Sequence, residues 1–152
     1  LVAELDMEQA AQDLSSAVDY LVGHEAVRGE GVGTVGFCMG GGMALWLGTL
    51  RPDKVKAVVP FYGLSPRDVE PDWSKMQAAV EGHYAELDER NSPAAARELE
   101  ERLVDLGRDV RTFIYPGTQH AFFNDTRQDV YDEDAARQAW IRTLEFLRAK
   151  LG

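Results

Sequence analysis

The chain has 152 residues, 26 of them acidic and 16 basic, giving a net charge of −10 and a pI near 4.7. That length suits one domain able to bury a core without disulfide or metal. The acidic balance excludes nucleic acid and an anionic membrane surface as main partners, because phosphates attract clustered Lys and Arg. A single cysteine, Cys38, closes no internal disulfide and builds no zinc ribbon, and it points to the reducing cytoplasm.

The first helix is expected over residues 7–22. Asp6 caps it, Gln9 completes a capping-box pattern, and Met7, Ala10, Leu14, Val18 and Leu21 form its apolar face. Residues 32–37 read as a short buried strand, and residues 39–50 as a helix that follows at once and stops at Arg51-Pro52. A second strand covers residues 55–61. Residues 65–75, with Pro66, Pro71 and four charges before Lys75, read as surface loop. Residues 76–82 are a weaker strand, supported only by Ala78, Ala79 and Val80.

Ser92-Pro93 starts the next helix, Leu99, Leu103 and Leu106 mark its buried face, and Gly107 stops it. Residues 110–115 form the last strand, closed by Pro116-Gly117. The final helix covers residues 132–150, with Trp140, Leu144, Leu147 and Leu151 along one side. Strands alternating with helices predict an α/β fold, a parallel sheet of about four strands with helices on both faces.

Residues 31–50 carry no charge, which is long enough to span a bilayer. Seven of the twenty are glycine, however, and a buried strand plus buried helix accounts for them better than a membrane span. Residues 1–13 hold acids and no Lys or Arg, the reverse of a secretory signal.

The chemistry lies in Gly36-Phe37-Cys38-Met39-Gly40, followed by Gly41 and Gly42, between a predicted strand and a predicted helix. This is the G-x-S-x-G nucleophile elbow with cysteine in the serine slot. The turn is so sharp that the residues two before and two after the nucleophile must be small. The thiol then projects at a helix N-terminus, where the dipole and free N–H groups favour a thiolate. The Met39 N–H is one expected oxyanion donor. A base and an orienter follow on loops after later strands: His120 beyond residues 110–115, and Asp88 beyond the third strand, with Glu86 and Glu89 as its competitors.

Four blocks carry a family resemblance: Gly36-Phe37-Cys38-Met39-Gly40-Gly41; Phe61-Tyr62-Gly63; Gly82-His83-Tyr84 with Asp88; and Tyr115-Pro116-Gly117 through His120-Ala121-Phe122. In this order they resemble the dienelactone hydrolases of the α/β-hydrolase superfamily, over essentially the whole chain. The resemblance implies a Cys38-His120-Asp88 triad that hydrolyses a small-molecule lactone or ester without cofactor or metal. It also places Tyr62 and Phe122 at the substrate pocket. Two departures stand out. Family members begin with several more strands, so the chain reads as one domain lacking the N-terminal part of the fold. Asn124 occupies the position expected to hold a substrate-carboxylate arginine.

Other patterns have plainer readings. Gly31-Val32-Gly33-Thr34-Val35-Gly36 fits a dinucleotide fingerprint but leads into a strand rather than out of one. His24 misses H-E-x-x-H at its last position, and His83 reads as structural at a strand end. Asn124-Asp125-Thr126 fits a glycosylation acceptor without a secretory signal. The acidic residues from Asp125 to Asp134 lack calcium-loop spacing and suit a helix start. A different class of reading also stands: a non-catalytic fragment or half of a split protein, whose residues 32–37 form an open sheet edge needing a further segment or second chain. A redox-active Cys38 is a third, without a second cysteine to resolve a disulfide.

Overall fold

The structure is a computed structural model that describes residues 5–152; residues 1–4, the start of the stretch read against a secretory signal, lie outside it. Its elements in chain order are α1 (Met7–Gly23), β1 (Val32–Phe37), α2 (Met39–Leu50), β2 (Val55–Phe61), a 3₁₀ turn (Trp73–Lys75), β3 (Ala79–Ala85), α3 (Pro93–Asp105), β4 (Val110–Tyr115) and α4 (Glu133–Leu151). The strands form one parallel sheet in the order β1-β2-β3-β4, so β1 is an outer strand, as expected. The uncharged run 31–50 divides into β1 and α2, and no described helix is long and apolar enough to cross a membrane.

Local chemistry sets the helix ends. Asp6 accepts the Gln9 N–H at 3.0 Å, but the Gln9 amide turns to Asp13, so the capping box is only half formed. Ser92 accepts the Ala95 N–H ahead of Pro93, and Asp132 accepts the Ala135 N–H. Gly107 adopts φ +75° and closes α3 by donating to Val104 C=O at 2.8 Å.

Alternating residues of β2 separate two cores. Val58 faces Leu45, Leu47, Met76 and Leu103, beneath α1, α2 and α3. Ala57, Val59 and Phe61 face the other way, onto Ala139 and Phe146 of α4.

Three expectations are corrected. The third strand is Ala79–Ala85, not 76–82: Asp72 caps the preceding 3₁₀ turn, Met76 N–H bonds back to Trp73 C=O, and the Met76 side chain packs in the core. His83 therefore lies inside the strand and is fully buried. Leu106, beyond the end of α3, is exposed. In α4 the buried stripe is Ala135, Ala139, Thr143 and Phe146, while Trp140 and Leu151 are 42% and 40% exposed. Small residues let α4 lie close to the sheet and turn its larger ones sideways toward β1. A β-carbon on Gly33 would stand 2.8 Å from Leu147 and 2.9 Å from Leu151.

Candidate active site

Each strand ends by delivering one residue to the same rim of the sheet. Cys38 follows β1, Tyr62 follows β2, and Asp88 and His120 sit on the loops after β3 and β4. Backbone pairing runs one step past two strands: Cys38 N–H donates to Phe61 C=O at 2.9 Å, and Tyr62 N–H to His83 C=O at 2.8 Å. The sheet itself thus fixes the position of Cys38.

Cys38 adopts φ +56°, ψ −120° and stands at the N-cap of α2. Such a backbone costs a non-glycine residue roughly 1–3 kcal/mol and persists only where its surroundings enforce it. Tyr62 at φ +40° and Ala121 at φ +68° share that strain, so three of the four non-glycine residues with positive φ among those described flank this rim.

The predicted side chains meet. His120 Nδ1 lies 2.6 Å from Asp88 Oδ2, and His120 Nε2 lies 3.2 Å from Cys38 Sγ. Asp88 is buried, and its other oxygen accepts the Arg90 and Asn91 N–H groups at 3.0 Å each. Burial raises the Asp88 carboxyl's proton affinity. The Asn91 N–H, the His120 imidazole and the Arg90 N–H outweigh that and hold it below the usual carboxylate range. The competing carboxylates are placed elsewhere: Glu86 accepts the Gly117 N–H, and Glu89 is exposed.

Sequence reading missed Arg90 and Asn91. The available signal was an Asp followed by polar residues just before a helix start, the pattern of an Asx turn.

Met39 is the first residue of α2, where an N–H has no intrahelical acceptor. It shares with Cys38 and His120 a cavity of about 650 Å³, also lined by Trp46, Arg67 and Arg90. Tyr62 is buried and meets the His120 ring edge-on, with centroids 5.0 Å apart. Burial, reinforced by the nearby Cys38, pushes its phenol up. Phe122 is fully buried and packs against Tyr62 at 5.5 Å, so it supports the rim from below. Among the described residues no group of three His, Cys, Asp or Glu side chains is placed to hold a metal ion.

The chain has known relatives. The family model of the dienelactone hydrolases matches residues 1–151. Protein usf of Aquifex pyrophilus is 32% identical over 145 residues, covering 95% of this chain and 62% of its own. A protein of Bradyrhizobium named "Probable 2-oxo-3-(5-oxofuran-2-ylidene)propanoate lactonase" is 33% identical, covering 97% of this chain and 62% of its own. The chain thus spans about three fifths of the length of these curated relatives. Among solved structures, a dienelactone hydrolase-like promiscuous phosphotriesterase from metagenomic libraries superposes with a TM-score of 0.81 at 20% identity. That match covers 97% of this chain and 64% of that one, and it speaks to the fold alone.

Proposed function

The chain belongs to the dienelactone hydrolase family, and on that premise we propose a cysteine hydrolase of lactones or carboxylic esters. The observation that carries the reading is the unbroken hydrogen-bond chain Cys38–His120–Asp88 opening on a cavity.

In this mechanism His120 Nε2 takes the thiol proton, and Cys38 Sγ attacks the carbonyl carbon. The Met39 N–H receives the developing oxyanion. The intermediate collapses to a thioester, and the imidazolium protonates the departing alkoxide; in a lactone that alkoxide stays tethered to the acyl group. His120 then deprotonates a water, which attacks the thioester and returns Cys38 to its starting state. Asp88 fixes the Nδ1–H tautomer and stabilises the imidazolium. The chemistry draws on side chains and backbone N–H groups without a cofactor. The single free cysteine supports a cytoplasmic setting.

Asn124 favours substrates without a carboxylate at that subsite. Its side-chain oxygen is engaged by the N–H and hydroxyl of Thr126, and it offers no positive charge. The test is turnover of an activated aryl ester by the wild type and by Cys38→Ala. Hydrolysis lost in the variant supports the nucleophile; retained hydrolysis sinks it.

A second reading is carried by β1. Its outer edge has no strand partner among the described residues, Val35 and Phe37 are 38% and 39% exposed, and an apolar groove reaches Phe123 and Trp140. Exposed apolar edges are normally covered, so a further segment or a second chain against β1 would complete the sheet. Native mass spectrometry tests this: a stable monodisperse monomer of 16.9 kDa counts against it.

A further inference from the structure

A buried polar cluster lies under the rim, on the α4 side of the sheet, and the mechanism above does not use it. His83 is fully buried in β3. Its Nδ1 lies 2.9 Å from the Tyr115 hydroxyl and its Nε2 3.1 Å from Thr143 Oγ1 of α4. Arg142 donates to the same Tyr115 hydroxyl at 3.0 Å while its guanidinium lies over Phe113, 4.1 Å from the ring centroid. Glu81 closes the far side, 3.5 Å from His83 Nε2.

The protons can be placed by elimination. Arg142 only donates, so the Tyr115 oxygen accepts from it. If His83 Nδ1 also carried a proton, the Tyr115 O–H would have no acceptor among the surrounding side chains. Tyr115 therefore donates to His83 Nδ1, and His83 is neutral with its proton on Nε2, facing Thr143 and Glu81. Burial acts in the same direction, lowering the basicity of His83 against the opposing pull of Glu81.

Tyr115 is also where the two site loops are joined. Its carbonyl accepts the Glu86 N–H at 3.1 Å and the Thr118 hydroxyl at 2.8 Å, and Leu87 N–H donates to Thr118 C=O at 2.9 Å. The Asp88 loop and the His120 loop are thus pinned together at Tyr115 and just beyond it, where Gly117 N–H also donates to Glu86. Its ring continues the connection, packing on Phe122 at 5.0 Å, which packs on Tyr62, which meets His120.

We infer that Tyr115, clamped at its hydroxyl by His83 and Arg142, is a positioning residue that holds the Asp88–His120 pair in register for the hydrolase reaction. The inference rests on the hydrolase reading, but its test has a readout independent of turnover. The His120 Nδ1–H facing Asp88 should give a far-downfield proton resonance, assigned by its loss in His120→Ala.

Tyr115→Phe keeps the ring and removes the clamp. It should leave KM essentially unchanged and lower kcat roughly ten-fold, a fraction of what an ångström of misplacement can cost. It should also broaden or shift that resonance. Arg142→Met should do the same, with little added in the double variant, and Arg142→Lys should recover most of the loss. Folded Tyr115→Phe protein with unaltered kcat and resonance overturns the inference. If Tyr115→Phe does not fold, Arg142→Met decides by the same two readouts, and loss of fold in both variants overturns the inference in favour of a purely structural role. A wild type inert to esters, but with a resonance sensitive to Tyr115→Phe, would defeat the hydrolase reading and leave the positioning intact.

Discussion

Gly36 passes beneath the Gly40 carbonyl so closely that a β-carbon on Gly36 would stand 1.9 Å from that oxygen, whereas one on Gly40 would meet nothing within 4 Å. Only one of the two small positions of the elbow is enforced by crowding. Gly36→Ala should cost about 3 kcal/mol or more, since backbone rather than a flexible side chain must yield. Gly40→Ala, within α2, should be neutral or stabilising by up to about 1 kcal/mol, with ester turnover kept. Urea denaturation of the two variants checks both.

Asp88→Asn should separate geometry from charge. The asparagine can still receive the Arg90 and Asn91 N–H groups but loses the ionic partner of His120. On the proposed triad mechanism kcat falls by roughly 10³-fold or more with the fold retained. Steady-state kinetics beside circular dichroism measure this, and a loss below ten-fold would shift the orienting role to another group.

The same carboxylate makes stability depend on acid. Its native proton affinity is held below the ordinary value of 3.8. Its contribution is therefore fully present above that pH and lost as pH falls through the lower native value. The stability gap between wild type and Asp88→Asn should be constant from pH 7 to about pH 5 and shrink below about pH 4. Denaturant midpoints across this range show the trend; a gap that widened in acid would contradict the assignment.

On α4, Phe146→Ala should cost about 3–5 kcal/mol, as for a fully packed phenylalanine. Trp140→Ala, at a 42% exposed position, should cost under about 1 kcal/mol. Thermal or urea unfolding ranks them, and the opposite order would restore the face expected from sequence.

The sequence exposed most of what positions the site. β1, α2, β2 and β4 fall where expected, because short uncharged runs bounded by Gly, Pro and charge leave few alternatives. The order of the motifs brought Cys38, Asp88 and His120 together on paper, and the structure brings them within hydrogen-bond reach. What stayed hidden depends on burial at a distance. Periodicity finds a stripe of large side chains on α4 but cannot tell that close contact with the sheet selects Ala135, Ala139 and Thr143 instead. Nothing local announces that His83 is inside a strand, since its partners Tyr115 and Thr143 are 32 and 60 residues away. Nor can a pattern of glycines reveal which of them is crowded.

The sequential order of the strands has a consequence for synthesis. As a nascent chain lengthens, each new strand docks on the one made just before it, and domains fold largely from the N-terminus. Cys38, just past β1, is made 82 residues before His120, which meets it across the rim. Among the described residues, α4 alone roofs the core formed by Phe61, Tyr115 and Phe122. Until α4 is released, that face of the sheet stays uncovered beneath the Cys38–His120 rim. A stop codon before Glu133 would therefore keep Cys38, Asp88 and His120, yet leave the half of the core beneath the histidine open to water.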